Sequence, residues 1–495
     1  MPSLTASVQA LRLRRRSRLP MPKAPDLAVN FAGIRSPNPF WLASAPPTNC
    51  GEQIMRAFDA GWGGAVWKTI GEPIVNVSSR YSSIDWNGQR MMGLNNIELI
   101  SDRPLEVNLR EIADVKKRYP KNAIIASLMV ESKREAWHTV VAQAEDAGAD
   151  GLELNFGCPH GMSERGMGSA VGQVPEYTEM ITTWVKEKAR TPVIVKLTPN
   201  ISDIRVIARA AKRGGADAVS AINTINSITG IDLDTLIPRP NVDGKSSHGG
   251  YCGPAVKPIA LNMVQQVAGD AETGGLPISG IGGIATWKDA AEFILLGCGT
   301  VQICTAAMHY GYRIVEDMID GLANWMEEKN YASIEDFRGL AVPKVTEWKH
   351  LNLNYKIVAH IDEAKCIGCE LCYIACWDGA HQCIYLDRVS GPVDGPVDLH
   401  TKPASIEAAT RTTITVTPIP KLDAHAAASN GKNATPLARI PRIDETECVG
   451  CNLCSLVCPV ENCITMVEVA TGAKPETWAE RTAAGDCKPP ALTQH

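Results

Sequence analysis

Two kinds of sulfur chemistry stand out in the sequence. The first is a single thiol. In NFGCPHGMSERGMGSA (155–170), Cys158 follows an apolar run ending in Asn155 and precedes a loop with Gly161, Gly166 and Gly168. A lone cysteine is most often a small buried hydrophobe. On a glycine-rich loop it can instead act as a proton donor, since a thiol with a pKa of about 8.5 is mostly protonated at neutral pH. The second is a pair of cysteine runs, CIGCELCYIAC and CVGCNLCSLVCP, both spaced C-x2-C-x2-C-x3-C. Four thiolates at this spacing wrap a cube-shaped iron–sulfur cluster, with the fourth cysteine of each run ligating the other cluster. The spacing predicts Cys366, Cys369, Cys372 and Cys458 on one [4Fe–4S] cluster and Cys448, Cys451, Cys454 and Cys376 on the second. Zinc sites more often use two separated pairs. Trp377 follows the first run where Pro459 follows the second, and Cys383 and Cys463 read as extra cysteines buried in small strands.

The single thiol needs a scaffold. Eight short apolar or β-branched runs lie between residues 39 and 306: PFWLAS, AVWKTI, AIIASL, LELNF, VIVKLT, AVSAINT, PISGIG and VQICT. Amphipathic stretches such as EAWHTVVAQAEDAGAD and ISDIRVIARAAKRGGAD alternate with them, several ending in glycine. Continuous apolar strands alternating with such helices predict an α/β fold, a (β/α)8 TIM barrel. Chemistry in that fold sits where the strands end. Those ends carry Ser44, Lys68, Asn155, Lys196, Asn223, Thr224, Gly282, Gly283, Cys304 and Thr305. Any one of these is readily structural, but two lysines and two asparagines on one rim point to a site. GIGGIA (280–285) resembles a dinucleotide pattern but follows the seventh strand, so a phosphate held by loop backbone explains it better. The long loop at 71–106 contains GLNNIEL, whose Asn95, Asn96 and Glu98 can reach over the barrel mouth.

The domain layout follows. Residues 1–25 are a basic arm or an upstream start, with five arginines before the first acid, Asp26. The barrel is expected at 26–335, a linker at 336–357, a two-cluster ferredoxin-like domain at 358–470 with an inserted loop at 388–440, and a tail at 471–495. The net charge of −5 gives no reason to expect nucleic acid as a partner, and no apolar run reaches the roughly 18 residues a membrane span needs. Sixteen cysteines without small disulfide-closed loops or a signal peptide suggest a reducing compartment, hence the cytoplasm. A phosphate-binding barrel joined to one-electron clusters suggests a flavin, which converts single electrons into a hydride; one phosphate site suits FMN. No nicotinamide-binding unit is recognisable, so the electrons are expected from a separate protein.

NFGCPHGMSERGMG, framed by GLNNIEL, KLTPN, AINTINS and GIGGI, resembles the FMN domain of the dihydropyrimidine dehydrogenases. With the two cysteine runs, the chain is similar to the bacterial NAD-dependent branch over residues 26–467, apart from the 388–440 insertion. The barrel alone would suit dihydroorotate dehydrogenase equally well. The resemblance implies that Cys158 is the general acid and that Asn96, Asn155, Asn223 and Thr224 hold uracil or thymine and their dihydro forms. It implies flavin contacts for Ser44, Lys68 and Lys196, and an FMN phosphate near Gly282, Gly283, Cys304 and Thr305. Gly157 departs from the serine the family has before its cysteine. The implied partner is an FAD- and NAD(P)H-binding, PreT-like subunit in a hetero-oligomer, with electrons entering through the clusters. The chemistry agrees: hydride delivered to C6 of uracil leaves negative charge on C5 and O4, C5 then needs a proton, and asparagine matches the ring's alternating donors and acceptors. The rival readings are a dihydroorotate-type flavoenzyme, which needs a cation for the orotate carboxylate, and a flavin subunit that only relays electrons.

Overall fold

The computed structural model describes residues 25–388 and 439–485, so the arm before residue 25 and the insertion between the cysteine runs fall outside the described residues. The chain divides into two compact units at Val345/Thr346.

The first unit is a closed barrel of eight parallel strands: Phe40–Leu42, Gly64–Ile70, Ala123–Leu128, Gly151–Asn155, Val193–Lys196, Ala218–Ala221, Ile278–Ile281 and Cys298–Ile303. The last strand pairs with the first (Val301↔Phe40, Ile303↔Leu42) and closes the ring. Each strand falls within or beside one of the eight apolar runs. Their near-continuous burial follows from helices outside and side chains inside. The helices start and stop for local reasons. Ile204–Arg213 is capped by Asp203, whose carboxylate accepts from Arg205 N at 3.0 Å, and it buries Ile204, Ile207, Ala208 and Ala211 at helical spacing. Trp287–Leu295 starts on a Thr286–Asp289 capping box.

The two ends of the barrel differ in polarity. A hairpin, Val29–Phe31 with Ile34–Ser36, closes the end where the strands begin; Phe31 packs edge-on against Trp41 at 5.6 Å in a small apolar cluster with Ile34, Val66 and Ile125. Toward the other end the interior turns polar. Fully buried Glu153 accepts from Ser220 Oγ at 2.8 Å and from Gln302 Nε2 at 3.0 Å; Gln302 in turn reaches Ser279 Oγ at 3.1 Å.

Residues 71–106, expected as a loop, contain a hairpin. Tyr81–Trp86 pairs with Gln89–Asn96, which pairs with Gly249–Cys252 and then Ile225–Ser227, giving a four-stranded antiparallel sheet. Asn87 and Gly88 form its turn, with φ of +47° and +81°, as a two-residue hairpin turn requires.

The second unit has two antiparallel strand pairs, Ile357–Ile361 with Ile464–Glu468 and Ile384–Arg388 with Arg439–Ile443, and two helices, Leu371–Gly379 and Leu453–Val457. The two cysteine runs occupy equivalent places: Gly368 and Gly450, and Glu370 and Asn452, all take left-handed backbone. The first helix is longer because Trp377 continues it, stacked on Tyr373 and edge-on to Tyr385, whereas the second stops before Pro459. The stretch expected as a linker is divided. Phe337 is buried in the barrel unit and Gly339 N bonds Ile294 O at 2.9 Å, while Leu353 N bonds Glu476 O at 2.8 Å in the second unit. There the expected tail carries a helix, Trp478–Ala484, begun by a Thr477–Glu480 capping box, and Trp478 lies 6.3 Å from Trp348.

Candidate active site

One pocket opens at the polar end of the barrel. Ser44, Lys68, Asn96, Asn155, Cys158, Lys196, Asn223, Thr224, Gly282, Gly283, Cys304 and Thr305 all line it. They come together because most stand at or just past the last residue of a barrel strand, while Asn96 arrives on the hairpin and Cys158 on the loop after the fourth strand.

A chain of amides and hydroxyls crosses the pocket. Asn223 Nδ2 donates to Asn155 Oδ1 at 2.9 Å, and Asn155 Nδ2 to Thr69 Oγ1 at 2.9 Å; Thr69 lies 3.2 Å from Ser44 Oγ. Asn223 also accepts from Thr224 N at 2.8 Å, so its amide orientation is set from both sides. Gly157 leaves room for this side chain: a Cβ there would sit 2.4 Å from Asn223 Cβ. A larger residue at 157 would have to move Asn223.

The two lysines are each matched by a buried acid. Lys68 Nζ donates to Glu98, which also accepts from Tyr81 Oη and, at 2.8 Å, from Arg80 Nη1. Burial, reinforced by that bond to Glu98, pushes the Tyr81 phenol well above its usual range. Lys196 Nζ lies 3.5 Å from Glu153 Oε1, which has no hydrogen-bond partner. Gln302 Oε1 on the pocket wall is also without one. Gly282 and Gly283, at φ of +129° and +78°, take backbone that a side chain resists. A Cβ on Gly283 would meet Lys257 N at 2.9 Å, so the chain there can present only backbone.

Cys158 is buried among Ile100, Met129, Met162 and Met167. Burial pushes its thiol up to about 11, offset in part by a backbone hydrogen bond from His160 and by Lys196. Its carbonyl accepts from Ser163 Oγ at 2.8 Å and Ser169 N at 3.0 Å, which pins the loop. His160 is kept neutral by burial and its Nε2 meets the Glu98 carbonyl at 3.2 Å, tying loop to hairpin.

Several lining residues were not anticipated. Thr69 and Tyr251 carry no motif. Cys252, a thiol raised to about 11 by burial, accepts from Thr305 Oγ1 at 3.2 Å, but nothing in its sequence context sets it apart. Gln302 on the wall, and Glu153 bonded to it in the barrel interior, had a signal: each is a polar residue inside an otherwise apolar barrel strand, in VQICT and LELNF.

In the second unit, no three His, Cys, Asp or Glu side chains among the described residues close on one point, as a lone ion requires. The cysteines instead surround two small cavities. One is lined by Cys366, Cys369, Cys372 and Cys458, the other by Cys376, Cys448, Cys451 and Cys454; Cys463 and Cys383 add a fifth thiol to each.

A parallel barrel with cationic and amide groups at its strand ends, joined to a unit of cysteine-lined cavities, defines a flavin-type oxidoreductase with an iron–sulfur domain. Comparison with known proteins agrees. Residues 26–326 match the dihydroorotate dehydrogenase family and 365–462 match the 4Fe–4S dicluster domain. The chain is 47% identical over 358 residues to the NAD-dependent dihydropyrimidine dehydrogenase subunit PreA of Escherichia coli, covering 72% of this chain and 87% of that one. It is 45% identical over 326 residues to the chloroplastic dihydropyrimidine dehydrogenase (NADP(+)) of Arabidopsis thaliana, covering 64% and 76%. It is 37% identical over 318 residues to the dihydroorotate dehydrogenase B (NAD(+)) catalytic subunit of Pyrococcus abyssi, covering 64% and 99%. The chain belongs to the dihydroorotate dehydrogenase family and is an oxidoreductase. Among the described residues no helix is long and apolar enough to cross a membrane.

Proposed function

We propose that the chain is the catalytic subunit of a dihydropyrimidine dehydrogenase, interconverting uracil or thymine and their 5,6-dihydro forms. The observation that carries this reading is the meeting of a buried thiol, Cys158, with the Asn155–Asn223 amide pair in one pocket. The residues present suit FMN: Lys68 and Lys196 would face the ring, the unpaired Gln302 Oε1 offers it an acceptor, and Gly282, Gly283 and Thr305 would hold its phosphate. FMN bound there would supply hydride chemistry to the pyrimidine ring.

The remaining steps belong to this chain's side chains. Asn96, Asn155, Asn223 and Thr224 hold the ring by its alternating amide donors and acceptors. Cys158 Sγ, protonated at neutral pH, gives its proton to C5; in the reverse direction the thiolate takes it back. Packing of the 157–168 loop against the hairpin excludes water while the proton moves. Among the described residues no arginine lines the pocket, and both lining lysines face acids; this favours a neutral pyrimidine over orotate, whose carboxylate needs a free cation.

We assign two [4Fe–4S] clusters to the two cysteine cavities, where they supply one-electron transfer. Electrons come from NAD(P)H through a separate FAD-bearing, PreT-like subunit; the Escherichia coli relative is itself named as a subunit of an NAD-dependent enzyme. The test is Cys158→Ala. It should keep FMN and the clusters and lose about 10²- to 10⁴-fold in pyrimidine turnover, the usual worth of a positioned proton donor. Near-full turnover by FMN-loaded Cys158→Ala would end the reading of Cys158 as the acid.

A further inference from the structure

We propose that Cys383 and Cys463 are reserve ligands, one for each iron–sulfur cluster; this rests on the two-cluster reading above. A cube has four iron corners, yet each cavity is lined by five cysteines. The surplus thiols, 5% and 2% exposed, are fully buried, whereas of the ligands they accompany Cys366, Cys369 and Cys458 are half-buried and Cys451 is exposed.

Their positions repeat. Asp444 N donates to Cys383 O at 2.8 Å, and Asp362 N to Cys463 O at 2.8 Å. Each of those aspartates then accepts, through its own carbonyl, from the first cysteine of its run: Cys448 N and Cys366 N, both at 3.0 Å. The surplus thiol in each half therefore stands beside two ligands, the fourth cysteine of one run and the first of the other. Cys383 lines one cavity with Cys376 and Cys448, and Cys463 lines the other with Cys458 and Cys366, its Sγ 3.7 Å from Asp362 O. Cys383 Sγ lies 3.5 Å from Cys376 Sγ, and its backbone N–H points at that same sulfur, 3.4 Å away. A small space-filler at either position needs no sulfur, and one chance thiol would not place its twin at the equivalent point of the other half.

The exchange balances without a change of oxidation state. When the Cys376–iron bond breaks, Cys383 gives its proton to the departing Cys376 thiolate and its own sulfur takes the vacated iron. Cys463 does the same for Cys458. For Cys383 a side-chain rotation suffices, because its sulfur already lies 3.5 Å from that of Cys376. A cluster then survives displacement of that ligand.

The experiment counts iron and acid-labile sulfide, and records the EPR of the dithionite-reduced clusters, on the full chain purified anaerobically. Flavin content serves as the folding control. Wild type should hold about eight irons, as two cubanes require. Cys376→Ala and Cys458→Ala should also keep about eight, with the EPR of one cluster altered. The double variants Cys376→Ala/Cys383→Ala and Cys458→Ala/Cys463→Ala should fall to about four, as should Cys369→Ala, which has no surplus thiol beside it. Cys383→Ala alone should keep about eight. Loss to four in the Cys376→Ala and Cys458→Ala single variants would overturn the proposal, as would doubles that keep eight or loss in Cys383→Ala alone. Eight irons in Cys369→Ala, or fewer than eight in wild type, would instead overturn the cluster assignment itself. The two halves test the idea independently, so failure of one variant to fold leaves the other decisive.

Discussion

Cys158 holds its proton because it is buried, and this fixes how pH should act on it. Its thiol is raised to about 11 from an ordinary 9.0. In the proposed role, reduction of a pyrimidine needs the protonated thiol, so its rate should stay flat from pH 7 to beyond 9 and fall only as pH approaches 11. Oxidation of the dihydropyrimidine needs the thiolate and should rise with pH over the same window. Initial rates in both directions across pH 7–10.5 check this; a fall in reduction centred near 9 would mean that the burial shift is absent in solution. The sign for stability is the same. Between about 9 and 11 the folded thiol keeps a proton that the unfolded one loses, so stability drops as pH rises through that window. Glu153 raises a separate expectation. It is fully buried and lies opposite Lys196, so Glu153→Gln leaves a buried ammonium uncompensated. Breaking one side of such a pair costs on the order of 3 kcal/mol, which thermal unfolding should read as a Tm lowered by several degrees. An unchanged Tm would show that Lys196 is already solvated without its partner.

The hairpin ends in Asn96 and leads into Glu98, both on the pocket wall, with Glu98 held by Arg80 and Tyr81, and its turn depends on two residues at positive φ. Replacing Asn87–Gly88 by Ala–Ala puts a new Cβ into left-handed backbone at 88, at roughly 1–2 kcal/mol, and removes at 87 a side chain that tolerates that backbone well. The expected result is a higher KM for the pyrimidine with FMN content unchanged, measured by steady-state titration; an unchanged KM would remove the hairpin from substrate binding. This element was readable: Asn-Gly between YSSIDW and QRMMGL is a strong short-range hairpin signal. It was obscured because the strands are exposed and mixed in polarity, so no alternation marks them. The eight barrel strands were legible for the opposite reason, since burial on both faces leaves continuous apolar runs. The rim residues were legible because Lys68, Lys196 and Asn155 interrupt or end those runs. The Lys–Glu pairings were not: Glu153 and Lys196 meet only because the fourth and fifth strands run in register, Asn155 opposite Lys196. Trp478–Ala484 was hidden in a polar stretch, although its Thr-x-x-Glu capping box is visible in TWAE.

At the scale of the whole molecule, a flavin-type barrel and a cysteine-rich unit share one chain, which on the proposed function joins a two-electron chemistry to a one-electron supply. The division of labour predicts that the purified chain alone will not oxidise NADH in the presence of uracil and will gain that activity on addition of an FAD-bearing reductase subunit. Efficient NADH-dependent turnover by the single chain would rule out a separate electron donor. The central claim is that pyrimidine chemistry takes place in this chain. It is tested most directly by reducing the anaerobic, FMN- and cluster-loaded protein with dithionite, removing the excess, and following flavin absorbance on adding uracil, thymine or orotate. Rapid reoxidation by uracil or thymine and not by orotate is the predicted result. Reoxidation by orotate alone, or by none of the three, would contradict it.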